Sequence, residues 1–481
     1  MLRAAREQAP QACPADRSPH RERRWDRLVL VVCAISALTV GLASAPNTSQ
    51  HAWGLFAAAG YVCAALAAAR TPTPWARVPA TIAVVGAAVL PLLYLTAIGR
   101  AQMEVGVVER SADLLFSSGT PYHPAPHAVR DFNPYLPGMA LFGVPHMLFG
   151  PAAFTSARLW FLLGFLAALA AAVRALTGKR TTGSRPPNGT VLRGTALTGA
   201  LWLTACPVVA LPLSIGGVDP PVVALLCLAL AFTHRGSAVP AGLAIGAAAA
   251  LKWTAWPAVP VIVAVLAVIA GKRAALTCAA VASALAALAI GPVALVDGGA
   301  FYQNVVLYPF GLGPTASSAQ SPLLGHLIVL AVPHGETVTM ALIASSAVGT
   351  GLSLLLRPPR TTTAAADRLA LGLALAILLS PATRVGYAIY PVVLVAWPRF
   401  TARLATERPA PRPHPGERPH LRPTVASRLC TGTASGDPSP RHRTSTRTPT
   451  GSPSPHRRPR HPDAAGDPRP TPGALRSPKR P

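Results

Sequence analysis

Between residues 28 and 398 the chain holds only eight carboxylates: Glu104, Glu109, Asp113, Asp131, Asp219, Asp297, Glu336 and Asp367. Four of them fall in one segment, residues 99–136, reading GRAQMEVGVVERSADLLFSSGTPYHPAPHAVRDFNPYL. Long connections in compact proteins are functional or disordered. The aromatic residues Phe116, Tyr122, Phe132 and Tyr135 and the helix-compatible stretches argue for order here. At helical spacing Glu104, Val108, Ser111 and Leu115 share one face, and Glu109 and Asp113 another. A carboxylate at the mouth of a helical bundle suits a general base that takes a proton from a hydroxyl. The plainer role is a solvated polar cap, with Glu109, Arg110 and Asp113 as surface ion pairs.

Other charged positions interrupt apolar sequence. Asp219 follows Gly216, Gly217 and Val218; Lys252 stands in AAAALKWTAWP; Arg384 stands in SPATRVGYAIYP. Ionisable groups at membrane depth are costly and are functional candidates by default. Lys252 or Arg384 suits a phosphate, as a point charge or a planar donor fork, or else snorkels to the headgroups. Asp219 precedes Pro220 and could simply cap a helix. Arg158 opens an apolar run, as an interface anchor or a further phosphate ligand. The seven cysteines form no CxxC and indicate neither a zinc site nor a disulfide framework.

The elements that must position these groups are apolar. Hydrophobic residues make up 51% of the 481 and charged ones 12%, where soluble domains carry about 25%. Uncharged apolar runs lie at 28–45, 53–69, 78–98, 159–173, 195–215, 222–233, 239–251, 255–270, 274–296, 337–356, 369–379 and 385–398. The expectation is an all-α polytopic membrane protein with about twelve transmembrane helices. The net charge of +26 does not mark a nucleic-acid binder, because the cations sit in the tails and in short loops between apolar runs. Under the positive-inside rule, Arg17, Arg21, Arg23, Arg24 and Arg27 place the basic N-terminus, residues 1–27, in the cytoplasm. The inner loops are then Arg70–Arg77, the loop holding Lys179, Arg180, Arg185 and Arg193, then Arg235, Lys272–Arg273, and Arg357–Arg368. That register requires the stretches 137–149 and 323–332 to be surface-lying or re-entrant. It leaves 99–136 and 297–322 outside and both termini inside, in a plasma (inner) membrane. The Pro- and Arg-rich tail, 401–481, reads as a disordered basic extension.

From residue 103 to 397 these pieces resemble glycosyltransferase family 87, polyprenyl-phosphate-mannose-dependent enzymes of the GT-C superfamily. The resemblance lies in an early loop acid (Glu104), then VVERSADLL, Gly119-Thr-Pro-Tyr122 and Phe132-Asn-Pro-Tyr-Leu-Pro137. It continues in Gly216-Gly-Val-Asp219, in Gly242-Leu-Ala-Ile-Gly246 through Lys252 to Pro257, in Ala319-Gln-Ser-Pro322 and in Ser380-Pro381. The loop acid of the family is usually Asp, the helix start carries a polar pair in place of Val218 and Asp219, and His often follows the Ser-Pro; here residues 382–387 read ATRVGY.

The resemblance implies a GT-C-like bundle and an inverting hexosyltransferase on the outer face. Its partners are a polyprenyl-phosphate sugar, mannose-like, an envelope glycolipid or glycan acceptor, and membrane lipids, with no nucleic acid. Glu104 is the expected base, with Glu109 and Asp131 as further catalytic candidates. Lys252 or Arg384, with Arg158, is expected at the donor phosphate. Tyr122, Asn133, Tyr135, Asp219, Gln320, Ser321 and Tyr387 are expected to line the substrate cavity. A phosphate ester already leaves well, so no cofactor or metal is assigned, and a divalent ion stays open. Two other classes compete. A transporter or flippase tends to carry internal repeats and midplane sites, whereas 99–136 has no repeat and the acids cluster outside. An inactive relative acting as a scaffold is the third.

Overall fold

Uncharged runs of this length become helices because a segment in lipid must satisfy its backbone N–H and C=O groups internally. In the computed structural model, which describes residues 19–177, 189–313, 315 and 317–406, they are α1 (Trp25–Ala43), α2 (Ser49–Arg70), α3 (Arg77–Ala97), α4 (Met103–Ser118), α5 (Pro137–Phe149), α6 (Ala157–Thr177), α7 (Gly189–Thr204), α8 (Pro207–Ile215), α9 (Asp219–His234), α10 (Ala238–Leu251), α11 (Trp253–Ile269), α12 (Lys272–Val296), α13 (Leu324–Ala331), α14 (Gly335–Leu356), α15 (Thr362–Leu379) and α16 (Val385–Phe400). Pairing outside helices is limited, among the described residues, to one isolated bridge between Gln320 and Thr383. The chain is an all-α, multi-pass membrane protein.

All twelve apolar runs are helical, but the described residues do not contain about twelve crossing helices. Seven (α1, α2, α3, α6, α12, α14 and α15) are long and apolar enough to cross, and the pair α7 and α8, bent by 68°, makes an eighth if taken as one span. Helices α9, α10, α11 and α16 are shorter. The reason lies in their ends. Gly216 and Gly217 stop α8, Gly236 at φ +71° follows α9, and Lys252 takes extended backbone after α10. Helix α9 buries Val222, Val223, Leu226, Cys227 and Leu230, as a core helix apolar on every side does. Neither α5 nor α13 is long enough to cross. The inner loop 179–185, the far N-terminus and the tail beyond residue 406, on which the expected orientation and tail disorder rest, lie outside the described residues.

The breaks are satisfied by side chains. A π-helical segment, Val85–Val89, interrupts α3, and the Ala87 carbonyl accepts from Trp53 Nε1 at 2.7 Å and from Ser214 Oγ at 3.1 Å. Beyond α7, the Ala205 carbonyl accepts from the Tyr61 hydroxyl at 2.6 Å. Buried carbonyls freed by a kink need such partners. These bonds dock α2 and α3 against α8 and the turn before it, and the end of α8 holds the start of α4: Gln102 N–H donates to the Ile215 carbonyl at 2.9 Å.

Candidate functional site

Helix α4 carries Glu104 in its first turn. Gly216, at φ +92°, ends α8 directly beneath, and a Cβ there would come within 2.4 Å of Val105 Cγ2. Only glycine fits that turn and that approach. On the far side of α4, Gly143 lies so close to the Val108 carbonyl that a Cβ would sit 2.4 Å from it. These approaches pack the first turns of α4 closely, and Glu104 there is 5% exposed. Its Oε1 forms an ion pair with Arg384 Nη1. Its Oε2 is buried without a hydrogen-bond partner.

Arg384 is placed by the bridge between two distant segments. Thr383 N–H donates to the Ala319 carbonyl at 2.8 Å, Ser321 N–H to the Thr383 carbonyl at 2.9 Å, and Val385 N–H to Ser321 Oγ at 3.1 Å. Gln320 joins the bridge with Thr383. The second arm of the Arg384 fork, Nη2, donates to Ser318 Oγ at 2.6 Å. Burial works against the guanidinium charge, but the Glu104 carboxylate outweighs it and holds the pKa above the ordinary arginine value.

A second buried pair adjoins the first. Lys252 Nζ lies 2.5 Å from Asp219 Oδ1, and the Tyr390 hydroxyl donates to the same oxygen at 2.6 Å. Asp219 is the first residue of α9 and makes no side-chain cap; it accepts from these two groups across the bundle. Lys252 Nζ stands 4.7 Å from the Tyr387 ring centroid and 5.6 Å from that of Tyr135. Tyr135 joins the pairs: burial, then the Glu104 charge, pushes its phenol pKa well up.

Tyr122 and Asn133 hold Tyr135 in place. The Tyr122 hydroxyl donates to the Tyr135 carbonyl at 2.9 Å, and Asn133 Oδ1 accepts from Tyr135 N–H at 3.1 Å. Asn133 Nδ2 donates to Ser111 Oγ at 2.9 Å, and its N–H donates to Asn304 Oδ1 at 2.8 Å. Phe132 stacks on Tyr308 with centroids 4.3 Å apart.

The structure thus gathers Glu104, Tyr135, Asp219, Lys252, Arg384 and Tyr387, buttressed by Tyr122, Asn133, Gln320 and Ser321. Three expected residues have their contacts elsewhere. Glu109 Oε1 accepts from Ala157 N–H at 2.9 Å, at the start of α6, with His146 Nδ1 3.9 Å from its other oxygen. Asp131 accepts from the N–H groups of Ala128, at 2.9 Å, and His127, at 3.4 Å, and these bonds, the Ala128 one first, lower its pKa. Arg158 donates to the Arg100 carbonyl and, at 3.3 Å, to Thr96 Oγ1. The expected surface pairing of Arg110 with Glu109 or Asp113 is not formed; Arg110 Nη2 donates to the Arg130 carbonyl at 2.6 Å. Sequence reasoning missed Tyr390, Ser318 and Asn304. Tyr390 stands three residues after Tyr387, so the i, i+3 spacing could have marked it. Ser318 carried no signal in its type or neighbours. Among the described residues no three His, Cys, Asp or Glu side chains converge on a cation site, and Glu104 and Asp219 each face a cation of the protein itself.

A multi-pass helical bundle with two carboxylates and two cations paired in one buried cluster defines a membrane protein with a preorganised polar site. The profile described as glycosyltransferase family 87 matches residues 133–381, just over half of the chain. The chain belongs to that family and is a membrane glycosyltransferase. The matched stretch holds Tyr135, Asp219 and Lys252; Arg384 lies three residues past its end, and Glu104 lies on α4, well before its start. Searches of curated proteins and of solved structures return no match.

Proposed function

We propose that the protein moves a mannose-like hexose from a polyprenyl phosphate to a hydroxyl of an envelope glycolipid or glycan, on the outer face of the plasma membrane. The short helices α9, α10, α11 and α16 would complete a GT-C-like bundle of about twelve membrane-embedded helices. The observation that carries this reading is the free, buried Oε2 of Glu104 beside the Arg384 fork. The acceptor oxygen attacks the anomeric carbon and its proton passes to Glu104. The bond from that carbon to the phosphate oxygen breaks, and the electron pair leaves with the phosphate. Attack opposite the leaving group inverts the configuration.

Of the two cations, Arg384 suits the phosphate better. Its side chain is 28% exposed, against 9% for Lys252, and a planar fork matches phosphate oxygens. Lys252 is taken up by Asp219 and two tyrosine rings, and its role is to fix Tyr387 and Tyr135. Arg384→Met is expected to raise the KM for a polyprenyl-phosphate hexose about tenfold or more, the loss of one or two charged hydrogen bonds. Donor kinetics unchanged in that variant would remove Arg384 from the phosphate site.

The orientation has its own test. Ser117 and Ser118 are exposed at the end of α4. A cysteine at either position is expected to react with an impermeant thiol reagent on intact cells. Labelling only after lysis would place α4 on the other face.

A further inference from the structure

A cavity of about 310 Å³ opens between α4 and residues 121–133, within the usual size of small-molecule sites. Its floor is finished before any ligand arrives. Ser111 and Asn133, both buried, bond to each other, and Ser111 Oγ donates back to the Val107 carbonyl at 2.6 Å. Its rim is polar and balanced, with Arg110 and Arg130 opposed by Asp113 and Asp131. Asp113 is exposed and forms no ion pair among the described residues. His123, also exposed, lines the cleft and uses Nδ1 to accept from Ala125 N–H at 3.2 Å, so that Nδ1 is engaged and Nε2 is the ring nitrogen left for a ligand.

Such a rim offers donors and acceptors side by side with no net field, which suits hydroxyl groups and gives an anion no advantage. Its placement matters as much. Ser111 lies seven residues after Glu104 on α4, so the two share a helical face about 10 Å apart. A chain of sugar rings seated in the cleft would run along α4 toward the base. We infer that this cleft binds the body of a neutral saccharide acceptor, one or more rings away from the hydroxyl that reacts; the acceptor role rests on the transferase reading above.

The test uses the full chain purified in detergent and a panel of neutral trisaccharides of mannose, glucose or galactose, with mannose 6-phosphate as the charged comparator. At least one neutral trisaccharide is expected to bind, and more tightly than mannose 6-phosphate. Asp113→Ala and His123→Ala are each expected to raise its Kd by up to about tenfold, the loss of one hydrogen bond in the cleft. Absence of binding across the panel, tighter binding of the phosphorylated sugar, or a Kd indifferent to both cleft variants overturns the proposal. A protein that binds saccharide in this way yet moves no hexose from a polyprenyl phosphate keeps the cleft and loses the transfer reading. Transfer with saccharide binding indifferent to both variants does the reverse.

Discussion

Glu104→Gln is expected to abolish detectable sugar transfer, a loss of about 10²–10⁴ in rate for removal of a general base, while the variant still folds and binds donor. The geometry makes this substitution informative. Glutamine keeps the side-chain length and still accepts a hydrogen bond from Arg384, so the bridge that positions Arg384 is expected to stand. What it lacks is a second oxygen able to take a proton. Glu109→Gln is the matched control on the same helix. Its carbonyl can still accept the Ala157 N–H bond, and transfer should change little. Comparing turnover of the two variants at saturating donor decides the matter. If both keep equal, near-normal activity, Glu104 is not the base. Asp131 would then be the next candidate, since it adjoins the Phe132–Tyr308 stack.

Lys252→Met costs stability before it costs chemistry. Removing one member of a buried ion pair strands the other in low dielectric, at about 3–5 kcal/mol. Asp219 would keep only the Tyr390 hydroxyl. The variant should unfold well below the wild type in a thermal melt in detergent. The double replacement Lys252→Met with Asp219→Leu removes both charges, and the apparent Tm should return most of the way, because a buried pair exchanged for apolar groups of similar volume is near neutral. Equal melts for the single variant and the wild type would mean that the pair contributes nothing, leaving Lys252 free for a phosphate.

The charged members of the site were legible because they are rare. Against a nearly uncharged background, Glu104, Asp219, Lys252 and Arg384 stand out by type alone. Their pairing was not legible. Glu104 and Arg384 are 280 positions apart and Asp219 and Lys252 are 33 apart, and which ends of which helices meet is a property of the topology. Asp131 stands apart from the two pairs for a local reason: its carboxylate takes backbone N–H groups three and four residues before it, and nothing in its neighbourhood announces that. Helix existence was read correctly from apolar runs. The number of helices long enough to cross, seven or eight among the described residues, was not legible, because a run without charges says nothing of where Gly216, Gly236 or Lys252 will end a helix.

The short bridge between residues 319–321 and 380–385 couples parts of the chain that have separate sequence neighbourhoods. Three N–H groups, those of Thr383, Ser321 and Val385, are locked across it. Arg384 sits inside this lock and Ser318 next to it, so the position of the guanidinium is tied to the backbone of residues 318–321. Local opening has a free energy set by the bonds that must break together. Deuterium uptake at those three amides should rise and fall in concert, and it reads the mobility of the whole Arg384 platform from the backbone, with no label near the sugar.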